Sequence, residues 1–166
     1  MIPVGVVMGS DSDFLVMEET LNILVYFDIL YEVKVSSAHR TLERTLNWVR
    51  QFEDQGGKLI IAAAGLAAHL PGVIAGATIL PVIGVPMRGG ALEGVDALYS
   101  IVQMPPGIPV ATVGIGAARN AGILAAQILA QDDQSLRQRL KNHRMKMAAE
   151  IEAKDGVIQD KLKKKL

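Results

Sequence analysis

Residues 59–87 read LIIAAAGLAAHLPGVIAGATILPVIGVPM, with no Asp, Glu, Lys or Arg between Lys58 and Arg88. By length such a run could span a bilayer. Pro71, Pro81, Pro86 and several glycines interrupt it, and its far end, Ile79 to Val85, is rich in β-branched residues around a proline. Two buried strands with a helix of small residues between them account for it better. The strands are Leu59 to Ala63 and Pro81 to Val85. The helix is built on Ala67, Ala68, Val73, Ile74 and Ala77. No membrane span is expected.

Outward from this βαβ unit the same alternation continues. Val4 to Met8 reads as a buried strand, and Phe14, Met17, Leu21 and Leu24 then recur at helical spacing. Ile29 to Val35 is a second strand. Leu42, Leu46, Val49 and Phe52 mark a second helix, ended by Gly56-Gly57. Residues 93–103 form a further helix, Ile108 to Val113 a fifth strand, and Ala117 to Gln131 a helix that is apolar nearly all round. Such a helix needs cover on every side, part of it expected from another subunit. Strands alternating with helices imply a parallel sheet with helices on both faces. The expected fold is α/β, a three-layer αβα sandwich of flavodoxin-like, doubly wound order with five strands. Residues 1–131 form the catalytic domain. Residues 132–166 add a C-terminal helix, with Leu136, Leu140, Met147 and Ile151 as an apolar stripe that should pack on the body or a neighbour. Gly156 is expected to end that helix and Lys161 to Lys165 to form a solvated basic tail.

Bulk properties narrow the function. Half of the residues are hydrophobic and a fifth are charged, as in a compact soluble domain. Lys plus Arg and Asp plus Glu are equal at 17 each. That balance argues against a nucleic-acid footprint, and the small net repulsion favours self-association. With no cysteine, disulfides, thiolate metal sites and cysteine nucleophiles are excluded. The opening Met1-Ile2-Pro3-Val4 carries no basic n-region or cleavage site, so a cytoplasmic location is expected.

In a doubly wound sheet, ligands bind beyond the carboxyl ends of the strands. That rule points to residues 9–13, 36–41, 64–71 and 86–92. The first segment, Gly9-Ser10-Asp11-Ser12-Asp13, could simply cap a helix. It also suits a ribose phosphate: serine hydroxyls and helix N–H groups donate to phosphate, and an aspartate accepts from a ribose diol. The second, Ser36-Ser37-Ala38-His39-Arg40-Thr41, combines a guanidinium fork for phosphate with an imidazole whose ordinary pKa is about 6.5. A solvated His-Arg pair at a helix start is the plainer account of it. The third, Ala64-Gly65-Leu66-Ala67-Ala68-His69-Leu70-Pro71-Gly72, offers small residues against which a flat ligand can lie. By its apolar setting alone, His69 reads as a hydrogen-bonded core or interface residue. Neither His39 nor His69 has a metal-binding spacing, and His143, on the charged terminal helix, reads as inert. There is no G-x-G-x-x-G fingerprint, Walker loop or G-x-S-x-G elbow. Acid–base chemistry by histidine is what remains.

Met8-Gly9-Ser10-Asp11-Ser12-Asp13, Ser37-Ala38-His39-Arg40-Thr41 and Ala67-Ala68-His69-Leu70-Pro71-Gly72 occur in one order with three further blocks. These are Pro81 to Pro86, Ser100 to Pro105, and Asn120-Ala121-Gly122. Together, over roughly residues 4–131, they resemble the N5-carboxyaminoimidazole ribonucleotide mutases of purine (IMP) biosynthesis. The resemblance implies an isomerase that moves a carboxylate from the exocyclic nitrogen to carbon four of an aminoimidazole ribonucleotide, through release and recapture of carbon dioxide. His39 would be the general acid and base. Ser10, Asp13, Ser37, Ala38 and Arg40 would hold the ribose phosphate, with Ala64, Gly65, His69 and Leu70 near the base and carboxylate. No ATP, metal, biotin or flavin is implied as cofactor, and the family's octameric assembly is. Two positions depart from the family pattern: Leu42 stands where proline is usual, and Leu66 where glycine is usual. If position 66 requires φ > 0, its leucine is strained.

Three other readings are weighed. A carboxylase of the same fold uses free carbon dioxide, but usually has Lys at the Arg40 position and lacks the Ala-Ala-His-Leu-Pro block. A non-catalytic nucleotide-binding or regulatory module is the second; a response-regulator receiver, for example, would need an acceptor aspartate at the end of the third strand, where this chain has Ala-Ala-Gly. A catalytically retired oligomer rests on Leu66 alone.

Overall fold

The computed structural model describes residues 2–164. It divides into two compact units, one ending at Ile128 and the other beginning at Leu129. The first unit is a five-stranded sheet in the order β2-β1-β3-β4-β5, every neighbouring pair parallel. Its strands are β1 (Val4–Met8), β2 (Tyr31–Val35), β3 (Leu59–Ala64), β4 (Val82–Pro86) and β5 (Ala111–Thr112). A single 3-10 turn, Asp11–Asp13, precedes α1 (Phe14–Tyr26). Then follow α2 (Leu42–Asp54), α3 (His69–Ala75), α4 (Val95–Val102) and α5 (Ala118–Leu129). This is the flavodoxin-like order expected from the sequence.

The uncharged run 59–87 is β3, α3 and β4. β1, β3 and β4 are buried along their whole length, which is why they read as continuous apolar runs and not as alternating ones. Alternate residues serve opposite faces. On one face Val7, Ile60, Ala62 and Val82 meet Val49 and Phe52 of α2, Ile74 of α3 and Ile101 of α4. α1 and α5 lie together: the buried Thr20 hydroxyl donates to the Ala118 carbonyl at 2.7 Å. No helix of the described residues is long and apolar enough to cross a membrane.

Some boundaries differ from expectation. The second strand begins at Tyr31 and not at Ile29, because the Ile29 N–H still closes the end of α1 on the Leu24 carbonyl at 2.9 Å. Pro81 stays outside β4, accepting from the Ile60 N–H at 3.0 Å but having no N–H to donate. The fifth strand shrinks from 108–113 to Ala111–Thr112, since Pro109 cannot join a ladder. The second unit holds α6 (Gln134–Lys163), whose N-cap Asp133 accepts the Leu136 N–H at 2.9 Å. Gly156 does not end this helix. One glycine costs about 1 kcal/mol relative to alanine, too little to break a long helix. Lys161 and Lys163 sit in its last turn, where cations complement the carbonyl end, and not in a frayed tail; Lys165 lies outside the described residues. Met147 and Ile151 of the expected apolar stripe are exposed.

Candidate functional site

The topological switch falls between β1 and β3, where the chain turns to opposite sides of the sheet. Hydrogen bonds of the ladder continue past the strand ends: Gly9 N–H to Ala63 O at 3.1 Å, Ser36 N–H to Met8 O at 2.9 Å, and Met87 N–H to Ala64 O at 2.9 Å. The loops after β1, β2, β3 and β4 are thereby aligned along one edge. Between them lies a cleft of about 640 Å³. Every residue singled out from the sequence lines it: Ser10, Asp13, Ser37, Ala38, His39, Arg40, Ala64, Gly65, His69 and Leu70.

The loop after β2 is fixed by hydroxyls. The buried Ser36 Oγ lies 2.8 Å from Thr45 Oγ1 and 3.2 Å from Thr41 Oγ1. Thr41 Oγ1 accepts the Ser37 N–H at 2.9 Å and donates to the Ser37 carbonyl at 3.0 Å. Ser37 Oγ in turn accepts the N–H groups of His39 and Arg40, each at 3.3 Å. Two exposed candidate side chains, His39 and Arg40, are thus carried on a hydrogen-bonded backbone turn. Leu42, in place of proline, is simply the first residue of α2 and is exposed, so the helix start is unharmed.

His39 and His69 meet across the cleft. His39 Nε2 lies 2.5 Å from His69 Nδ1, and the rings stand edge to face with centroids 4.8 Å apart. One nitrogen must donate and the other accept, so while the bond exists at least one of the two rings is neutral. The pair can gain and lose a single proton without breaking its contact. From sequence, His69 in its apolar surroundings had looked like a structural residue; its imidazole is exposed.

The loop after β1 supplies the other polarity. Ser10 N-caps the 3-10 turn, its Oγ accepting from the Ser12 N–H at 3.3 Å and from Ser12 Oγ at 2.8 Å. Asp13 occupies the N-cap of α1 but makes no side-chain cap bond, which leaves its carboxylate to the cleft. Burial pushes its pKa above the ordinary aspartate range, a backbone hydrogen bond from Ser10 offsets part of the rise, and the Asp11 carboxylate adds to it. The sign for stability follows. A raised folded pKa means the charged form is disfavoured in the fold, so the cost grows as pH rises from the unfolded value of about 3.9 through the folded one. Asp13→Asn is therefore expected to melt at a higher temperature than the parent at pH 7 and at the same temperature near pH 3. Thermal melts at the two pH values check this; a lower midpoint at pH 7 would mean that the carboxylate stabilises the ligand-free fold.

Met87, Arg88, Gly89 and Gly90, after β4, also line the cleft and were given no role from the sequence. The strand-end rule had marked their segment, and the cation that closes the uncharged run was the available signal. Leu66 also lines the cleft, with φ +56° and 57% of its surface exposed. Position 66 does require the left-handed region, at a cost of about 1 kcal/mol or more for a leucine.

The chain is 55% identical over 144 residues to the N5-carboxyaminoimidazole ribonucleotide mutase of Pyrococcus abyssi, covering 87% of this chain and 83% of that one. It is 53% identical over 156 residues to the mutase of the same name from Mycobacterium leprae, covering 94% and 91%. The crystal structure of Treponema denticola PurE superposes with a TM-score of 0.85 at 31% identity, covering 92% of this chain and 96% of that one. The sequence model of the AIR carboxylase family matches residues 3–150, the whole of the sheet, its four loops and the first half of α6, and the chain belongs to that family.

Proposed function

We propose that this protein is an N5-carboxyaminoimidazole ribonucleotide mutase of purine biosynthesis, an isomerase that acts without ATP, metal or organic cofactor. The observation that carries the reading is the bonded His39–His69 pair in a cleft shared with Ser10, Asp13, Ser37 and Arg40. Proton-transfer groups stand beside groups suited to a ribose phosphate, and near full-length relatives bear the mutase name.

In this reading Arg40, Ser10 and Ser37 take the phosphate, Asp13 accepts from the ribose hydroxyls, and Ala64, Gly65 and Leu70 lie against the base. Protonated His39 gives its proton to the exocyclic nitrogen as the nitrogen–carboxylate bond breaks and carbon dioxide departs. Carbon four of the ring then attacks the carbon dioxide. Neutral His39 removes the hydrogen from that carbon and restores the aromatic ring. One proton is given and one recovered, which balances the isomerisation. His69 keeps the His39 ring oriented and takes up the change in donor and acceptor roles. Carbon dioxide held in a closed site recombines before it escapes.

The reading includes a homo-oligomer, an octamer, in the cytoplasm. Exposed apolar side chains on the isolated chain support self-association: Ile79 is 92% exposed and Leu15 79%.

The test supplies N5-carboxyaminoimidazole ribonucleotide to the purified protein without ATP or added metal and follows ultraviolet absorbance. Rapid formation of the carbon-four isomer is expected. Turnover only with aminoimidazole ribonucleotide plus bicarbonate would make the protein a carboxylase, and no turnover of either would end the enzyme reading.

A further inference from the structure

The cleft holds two arginines, Arg40 after β2 and Arg88 after β4. Both are exposed, and among the described residues neither pairs with a carboxylate. They stand on separate loops, on strands β2 and β4 that flank the central pair β1 and β3. The proposed substrate carries two anions at separate ends, a phosphate on the ribose and the migrating carboxylate on the base. Arg40 follows the serines and lies next to His39, so one cation is already placed for the phosphate. A second cation remains, and a second anion.

Loop geometry supports a fixed place for it. Leu66 and Gly90 are both left-handed, at φ +56° and +63°. A Cβ on Gly90 would stand 2.7 Å from Leu66 Cδ2, so the leucine side chain rests directly on the Gly90 backbone. A side chain at position 90 would push the Leu66 tip aside, and the left-handed φ there favours glycine. Leu66 thereby braces the β4 loop from the β3 loop, two residues past Arg88. A strained leucine in a polar cleft has a reason if it holds something in position.

We propose that Arg88, braced through Gly90 by Leu66, receives the carboxylate of the substrate, while Arg40 receives the phosphate. A guanidinium presents paired donors to a carboxylate in the plane of the group, which matches a carboxylate on a flat ring. Leu66 acts here as a positioning residue. The assignment rests on the mutase reading, and its test separates the two.

The test measures binding of two ribonucleotides, aminoimidazole ribonucleotide, which lacks the carboxylate, and its carbon-four carboxylated form. Parent, Arg88→Gln and Arg88→Lys are compared. Arg88→Gln is expected to weaken the carboxylated ligand by roughly 10- to 100-fold, the range of a charge-assisted hydrogen bond, and the other ligand by about twofold or less. Arg88→Lys should restore part of the loss. Equal weakening of both ligands would move Arg88 to the phosphate, and no change in either would remove it from the site; each overturns the assignment. Failure of the parent to bind either ligand would strike the mutase reading itself. Leu66→Gly should weaken only the carboxylated ligand, and the double variant with Arg88→Gln should be no weaker than Arg88→Gln alone. Additive losses would overturn the brace.

Discussion

His39→Asn is expected to lower turnover of N5-carboxyaminoimidazole ribonucleotide by at least about 10³-fold, while the melting temperature stays within about 2 °C of the parent. One group serves both proton transfers in the proposed reaction, so its loss is felt twice: when the nitrogen is protonated and when carbon four is deprotonated. Asparagine keeps a similar length and a hydrogen-bonding end but cannot change protonation state near neutrality. The fold should not notice, because His39 is exposed and its turn is held by Ser36, Ser37, Thr41 and Thr45 rather than by the imidazole. Binding of aminoimidazole ribonucleotide, which needs no proton transfer, should survive. Retained turnover in a folded His39→Asn variant would place the proton chemistry elsewhere, and His69 would be the first residue to replace. His69→Asn is expected to cost less, since orientation and tautomer are lost while the transferring group remains. A shift in the pH profile of turnover would accompany that loss if His69 works through His39, and would be absent if His69 only fills space.

Phe52→Ala should destabilise the fold by about 3–5 kcal/mol, the usual cost of emptying an aromatic site in a core. Phe52 is 2% exposed on the buried face of α2, and its ring stacks on Trp48 with centroids 5.7 Å apart at 24°. The neighbouring backbone is shaped around these rings. A Cβ on Gly57 would overlap the Phe52 ring, and one on Gly5 of β1 would lie 3.0 Å from Trp48. Gly5 and Gly57 form part of the wall and have no side chain to swing into the space left by alanine. For a chain of this size the loss corresponds to a fall in melting temperature of roughly 10 °C. A change below about 3 °C in thermal melts would mean that α2 collapses onto the sheet more readily than this packing implies. The cleft loop after β2 rests on the same layer through Ala38, so activity of the variant should fall with its folded fraction.

Most of the scaffold was legible in the sequence because burial on both faces of a parallel sheet writes itself as uncharged runs. β1 was read to the residue, and β3 to within one residue of its end. The misread strand starts share one cause. At Ile29, Pro81 and Ile108-Pro109 the side chains suit a strand, but the backbone N–H is spent closing a helix end or a turn, or is missing. Composition does not report where an N–H is spent. Gly156 is the converse case: a glycine does not end a helix unless the chain turns left-handed there.

The site divides the same way. The strand-end rule and the residue types marked the loop segments and offered His39 and Arg40 as candidates, because helix starts and strand ends are local events. The resemblance to the mutases then picked out Ser10, Asp13 and Ser37, and marked Leu66 as a position where φ matters. The sequence by itself thus determined which loops are the candidates for the site and which groups they offer. Only the tertiary structure decided which of those groups meet. His39 and His69 lie thirty residues apart and touch because β1, placed between β2 and β3, brings both loops over one edge of the sheet. Leu66 reaches Gly90, and Arg88 joins the cleft, because β4 is the other neighbour of β3. Such contacts depend on the order of strands in space, which is settled by the packing of the whole sheet and its helices and by no single segment of the chain.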